Sequence, residues 1–381
     1  MKLTTFFFGP IILYNFNCEF FCLRPEEFEA NFEPSDQDCY HAIVNKRINP
    51  IAEGLYALIY ECDIFVDSIL TKIAVKVINY GKHETDSPDE QTVRKRVFDN
   101  EIKIIELINN INDYTLPFIY GCIENIETKT GFIFMERFEM TLLENRKKNL
   151  VQTDNFSEES IFNTNILLFL QAAYSIGLLH EHGIAHLDIK PGSIMVNSDN
   201  LVKIIDFSYA YQVLVEADHP KAKKECSFLD SILGYLGLNK KKLYERTDYD
   251  DYFKTGTPYY NDPLLLKENY TPKLESDVYS FGITVIETYL GVDVSYKEQT
   301  LDNIKSRDKK LVHKMNLTKK ENTSWNLFSK DKTLRSAKCS LIDLFIKIID
   351  IEPEKRPTMR TIATTLENIL LMNTEQEKTP S

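Results

Sequence analysis

Apolar and polar positions alternate in short runs through the first third of this chain and then lengthen to helical spacing. The runs at 51–60, 69–79, 118–123 and 131–136 are β-branched or aromatic and are broken by turn residues, which predicts strands. One helix interrupts them: Asp86-Ser87-Pro88 supplies cap and first-turn chemistry, and Val93, Val97, Ile104, Leu107 and Ile108 form one apolar face. Beyond residue 137 the pattern predicts helices over 162–182, 276–290, 340–349 and 360–372. Two stretches, 212–254 and 292–335, are polar or rich in lysine and asparagine and read as irregular inserts. The expected fold is therefore α+β and bilobal. A small β-rich lobe with one main helix spans 43–136, and a larger, mostly helical lobe spans 137–372. An extension over 1–42 precedes them and a polar tail over 373–381 follows.

Composition narrows the function classes. The chain has 381 residues, 43% hydrophobic and 12% aromatic, enough for two substantial cores. A net charge of −12 argues against a nucleic-acid-binding surface over the whole molecule. Lysines cluster locally at 221, 223 and 224 and at 240–242, which reads as solvated loop. The seven cysteines (18, 22, 39, 62, 122, 226 and 339) show no metal-ligand spacing and are expected as reduced thiols. No later stretch reaches 18 uninterrupted apolar residues, so no transmembrane span is expected. Residues 3–14 resemble a short signal core but lack a small-x-small cleavage site. A cytoplasmic or nuclear protein is expected, with secretion through that apolar segment as the alternative.

The chemistry begins with Lys76, set in the apolar strand Ile73-Ala74-Val75-Lys76-Val77-Ile78. A buried lysine needs an anionic partner, and Glu101 on the small lobe's helix can supply it. Further along, His186-Leu187-Asp188-Ile189-Lys190-Pro191 and Ile204-Ile205-Asp206-Phe207-Ser208 set two acids after apolar runs, with a lysine close to the first. Phosphoryl transfer needs one carboxylate to orient a hydroxyl, another to hold metal, and a cation to answer charge on the moving group.

With these motifs the chain resembles a eukaryotic-type protein kinase, of serine/threonine type, from about residue 48 to 365. The resemblance is carried by Ala74-Val75-Lys76 and Glu101, Met135-Glu136, His186-Leu187-Asp188, Asp206-Phe207-Ser208, Gly256-Thr257-Pro258-Tyr259-Tyr260, Ser276-Asp277-Val278-Tyr279-Ser280-Phe281-Gly282 and Pro353-Glu354-Lys355-Arg356-Pro357, all in the family's order. It implies ATP as phosphoryl donor, with Mg2+ (Mn2+ as the alternative ion) and a protein hydroxyl as acceptor. In that reading Asp188 is the catalytic base and Lys190 the phosphate clamp. Lys76, kept in place by Glu101, holds the α- and β-phosphates, Met135 and Glu136 meet adenine, and Gly54, Ala52, Ile59 and Ala74 line the nucleotide site. Asp206 and Ser193 are the metal ligands. The alternative function is a pseudokinase that binds nucleotide or acts as a scaffold.

The chain departs from the family pattern at six places. Alanines 52 and 57 replace the first and third glycines of the glycine-rich loop, a cost of roughly 1–2 kcal/mol each wherever positive φ is needed. Ser193 stands at the position of a metal-binding asparagine. Ser208 replaces a glycine and should stiffen its turn. Leu187 replaces the arginine beside the catalytic aspartate, which removes a partner for a phosphorylated segment. Asp262-Pro263-Leu264 replaces Ala-Pro-Glu, so Arg356 must find its acid in Asp262 or Glu287.

Overall fold

The computed structural model describes residues 3–6, 42–43, 49–66, 69–81, 88–111, 113–126, 128–151, 157–213, 256–266, 273–296, 298, 300–324 and 332–374. The chain divides into two compact units: residues 1–145 with 194–208, and residues 146–193 with 209–381.

The first unit is built on a seven-stranded antiparallel sheet. Its strands are β1 (Leu3–Phe6), β2 (Ala42–Ile43), β3 (Ala52–Glu53), β4 (Leu58–Val66), β5 (Ile69–Asn79), β6 (Ile119–Asn125) and β7 (Thr130–Glu136). They run in the order β1-β6-β7-β5-β4-β2, with β3 paired to β4. Part of the N-terminal extension thus joins the sheet, Leu3 pairing with Asn125 and Phe6 with Cys122. Period-two alternation gives the sheet two apolar faces. Cys62, Ile73, Val75, Ile123, Phe132 and Phe134 cluster on one. Ile78, Ile119, Cys122 and Ile133 cluster on the other, against Phe98, Ile102 and Ile105 of helix α1 (Pro88–Ile111). Each such side chain, fully buried, contributes about 1.5–3 kcal/mol. The helix lies so close that a Cβ on Gly131 would meet the Phe98 ring at 2.3 Å, which only glycine avoids. A second sheet, β11-β10-β8 (Val202–Ile204, Ile194–Val196, Met140–Thr141), also belongs to this unit, which therefore extends beyond residue 136.

The second unit is mostly helical: α2 (Leu142–Val151, from Arg146 onward), α3 (Glu158–Glu181), α4 (Leu274–Leu290), α5 (Leu301–Ser324), α6 (Lys332–Ile348) and α7 (Met359–Thr374). Two short strands, β9 (Ile184–Ala185) and β12 (Tyr211–Gln212), pair beside them. Ser157 caps α3 by accepting from the Ser160 N–H at 3.1 Å. Helix α3 is long and apolar enough to cross a membrane, yet Phe162, Ile166, Phe169, Ile176 and Leu179 are buried within the unit, so it reads as a core helix. Gly282 lets α4 approach α6: a Cβ there would stand 2.4 Å from Ile348. Gly291, at φ 64°, closes α4 by donating to the Glu287 carbonyl at 2.8 Å.

A second expectation also needs correction. The stretch 292–335 is not irregular, because α5 fills 301–324 and α6 begins at Lys332. Ile304, Leu311 and Met315 make a narrow buried stripe on α5, masked in the sequence by the lysines around it. Residues 214–255, which hold most of the other stretch and both lysine clusters, lie outside the described residues.

Candidate active site

In the first unit the candidate residues converge on Lys76. Strand alternation turns Lys76 toward the α1 side of β5, with Ala74 and Ile78. Glu101 falls within the buried stripe of α1, between Val97 and Phe98 on one side and Ile104 and Ile105 on the other. The two meet at 2.8 Å from Lys76 Nζ to each carboxylate oxygen, and both residues are buried. Nζ also donates to Asp206 Oδ1 and to Ser208 Oγ, each at 2.7 Å. An ammonium has three protons, so these four acceptor atoms already exceed its capacity. Ser208 Oγ in turn lies 2.7 Å from Asp206 Oδ1 and 3.1 Å from Glu101 Oε2. Asn100 holds the Ser208 carbonyl to α1 at 3.4 Å.

One cation among two carboxylates leaves the cluster net negative. Burial opposes the charge on Lys76, but Asp206 and Glu101 outweigh it and hold the ammonium above its usual range. Burial raises Glu101; Lys76 pulls it down and Asp206 pushes it up, with a net position above the ordinary carboxylate range. Asp206 takes left-handed backbone, φ 69°, and its side chain is 34% exposed. Magnesium is commonly held by one or two carboxylates together with water and phosphate oxygens, and Asp206 fits as one such ligand. Among the described residues no group of three or more His, Cys, Asp or Glu gathers as a metal site.

The remaining nucleotide-side residues fall on the same sheet. Ala52 pairs with Ile59 across β3 and β4, and Gly54 N–H donates to the Ala57 carbonyl at 2.8 Å. Neither Ala52 nor Ala57 has positive φ, so the expected alanine penalty is not incurred. Ala74 pairs with Met135 and Ile73 with Glu136. The Glu136 N–H donates to the Phe118 carbonyl at 2.8 Å, and its carboxylate accepts from Lys203 at 2.8 Å.

In the second unit the candidate residues converge on Asp188. Asp277, fully buried on α4, accepts from the N–H groups of His186 and Leu187, each at 2.7 Å, and from His180 Nε2 at 2.9 Å. That brace holds Leu187 at φ 61°, a conformation that costs a non-glycine residue roughly 1–2 kcal/mol. Buried Leu187 packs with Ala185 and Tyr209. Asp188 Oδ1 accepts the Thr257 N–H at 2.7 Å, and its Oδ2 is bonded by Lys190 Nζ. Lys190 also donates to Thr257 Oγ1 at 2.8 Å. A Cβ on Gly256 would lie 2.6 Å from the Leu187 carbonyl, so only glycine lets the Gly256–Thr257 segment reach this loop. Ser193 is buried, and its hydroxyl accepts from the Lys190 N–H at 2.9 Å and lies 3.0 Å from the Lys190 carbonyl. The choice of acid for Arg356 falls on Asp262, at 2.6 and 3.2 Å. Glu287 instead accepts from the Tyr260 hydroxyl at 2.6 Å.

Three participants carried no clear signal in the sequence. Ser208 stood out only as a missing glycine, whereas its hydroxyl sits inside the ion cluster. His180, in the last turn of α3, supports the loop only indirectly, through its bond to Asp277. Arg307, on α5, bonds the Tyr259 carbonyl beside Pro258; its one mark is an arginine among lysines on a narrow apolar stripe.

The chain matches the family model described as "Protein kinase domain" over residues 46–366. It is 24% identical over 281 residues to the leaf rust 10 disease-resistance locus receptor-like protein kinase-like 1.3 of Arabidopsis thaliana, covering 71% of this chain and 34% of that protein. It is 24% identical over 312 residues to a probable serine/threonine-protein kinase of Dictyostelium discoideum, covering 80% and 59%. A probable serine/threonine-protein kinase of fowlpox virus is 28% identical over 176 residues, 45% of this chain and 56% of that protein. The chain thus spans about a third of the Arabidopsis relatives' length and under two thirds of the other two. With that match over most of its length, and with Lys76–Glu101–Asp206 and Asp277–Asp188–Lys190 assembled as described, the chain belongs to the protein kinase family.

Proposed function

We propose that this protein transfers the γ-phosphoryl group of ATP to serine or threonine hydroxyls of a protein substrate. The observation that carries this reading is the joint bonding of Asp188 and Thr257 to Lys190, which sets a carboxylate and a cation at one point of the second unit. In this reading Asp188 orients the attacking hydroxyl and accepts its proton. Lys190 leaves Asp188 to offset charge on the moving phosphoryl group. Lys76, held by Glu101, would take the α- and β-phosphates in exchange for its bonds to Asp206 and Ser208, and Asp206 would hold magnesium. A divalent ion there would offset charge on the β- and γ-phosphates. Met135 and Glu136 would meet the adenine through backbone groups.

Lys190, two residues beyond the base, and Thr257 in Gly256-Thr257-Pro258 support serine/threonine over tyrosine specificity. Phosphoamino-acid analysis of a generic basic protein, after reaction with labelled ATP and Mg2+ or Mn2+, tests this. Phosphoserine and phosphothreonine are expected; phosphotyrosine alone would overturn the specificity. The second reading, a nucleotide-binding scaffold, draws support from Ser193, whose hydroxyl is engaged by the Lys190 backbone at both N–H and carbonyl. It predicts nucleotide binding without any transfer.

A further inference from the structure

Arg307 is buried on α5, and its guanidinium is directed at protein groups on several sides. Nε and Nη2 donate to Asp308 Oδ1 at 3.0 and 2.8 Å. Nη2 also donates to the Tyr279 hydroxyl of α4 at 2.6 Å, and that hydroxyl donates to Asp308 Oδ2 at 2.6 Å. Asp308 alone would satisfy the charge of a purely structural arginine. Nη1, however, reaches out to the backbone carbonyl of Tyr259. Beside it, the Tyr296 hydroxyl donates to the carbonyl of Pro258, the Tyr296 ring packs edge-on to Tyr259 at 5.2 Å, and Arg307 lies over that ring at 5.4 Å.

Two consecutive carbonyls are thus gripped by side chains from outside their own segment. The residue just before them is Thr257, whose N–H bonds Asp188. Proline fixes its own φ and restricts the backbone of the residue that precedes it, so holding the Pro258 and Tyr259 carbonyls also restrains Thr257. We propose that Arg307 and Tyr296 are positioning residues that fix the Thr257 amide against Asp188. They thereby set how well a protein hydroxyl is presented to that carboxylate. The catalytic part of this inference rests on the proposed function; the restraint on Thr257 does not.

The test uses the full chain. Amide exchange over residues 256–262 is measured for the wild type, Tyr296→Phe and Arg307→Lys, alongside steady-state kinetics with ATP and a protein substrate. Tyr296→Phe removes one hydroxyl and keeps the ring, so it tests the restraint even if Arg307→Lys fails to fold. The Thr257 amide should exchange roughly tenfold faster in Tyr296→Phe. For that variant kcat/KM for the protein substrate should fall about fivefold, the worth of one hydrogen bond, with KM for ATP unchanged. Unaltered exchange at Thr257 in Tyr296→Phe overturns the proposal, as does a KM for ATP that rises as much as that for the protein substrate. Absence of transfer in the wild type would count against the proposed function, and the exchange data would still decide the restraint.

Discussion

Arg356 and Asp262, 94 residues apart, form a two-pronged ion pair with both side chains fully buried, at 2.6 and 3.2 Å. Arg356 also donates to the carbonyls of Asp350 and Glu275, at 2.7 and 2.8 Å, so one guanidinium ties the end of the Gly256–Asp262 segment to the helical core. Asp262→Ala leaves that charge buried without its acid, at a cost of roughly 3–5 kcal/mol. Thermal unfolding should show a large drop in midpoint for Asp262→Ala and a small one for Glu287→Gln. Equal drops would contradict the pairing.

The buried Lys76–Glu101–Asp206 cluster predicts a pH-dependent defect. In Lys76→Met the main partner that lowers Glu101 is gone and only the Ser208 hydroxyl still does so, while burial and Asp206 raise it. Its folded pKa then lies further above the ordinary 4.5, so the folded state binds the proton more tightly than the unfolded state does. This contribution is fully present below the unfolded value and is lost as pH rises through the folded one. Urea unfolding should therefore show a larger stability deficit against wild type at alkaline than at mildly acidic pH. A deficit independent of pH would count against an uncompensated Glu101.

Ser208 contributes through its hydroxyl, which lies within hydrogen-bonding distance of Lys76, Asp206 and Glu101. Ser208→Ala should cost about 1–2 kcal/mol. Ser208→Gly should cost more, because Ser208 does not take positive φ and glycine would only add freedom to the unfolded chain. Chemical denaturation of both variants checks the order; a glycine variant as stable as the wild type would refute it.

Much of this was legible in the chain. A lysine inside the apolar run 73–78 needs an anionic partner, and Glu101 on the small lobe's helix is the acid the sequence offers for it, which is the pair the structure forms. The identity of the acid for Arg356 was not legible, because Asp262 and Glu287 differ only in which of them the tertiary fold carries to the guanidinium. Helix α5 was missed because its buried stripe is one residue per turn wide within a highly charged sequence. The alanines of the loop beside β3 misled in the opposite direction, since a glycine pattern does not reveal whether a given chain uses positive φ there.

Gly256→Ala sets a methyl group 2.6 Å from the Leu187 carbonyl and 2.9 Å from Asn261 Oδ1. The segment must then retreat from the Asp188 loop, and a displacement of about 1 Å is enough to cost on the order of 100-fold in rate. Steady-state kinetics of Gly256→Ala should show that loss with little change in ATP binding. A wild-type rate would mean that the contact between Gly256 and the loop is dispensable.

The most direct measurement is phosphotransfer from labelled ATP to a generic protein substrate, or to the protein itself, with Mg2+ and then with Mn2+. Wild type is compared with Asp188→Asn, which keeps the shape of the side chain but cannot accept the hydroxyl proton. Transfer by the wild type, lowered by a factor of roughly 100 or more in Asp188→Asn, is the predicted result. Wild-type signal no higher than that of Asp188→Asn with both metals would contradict the account.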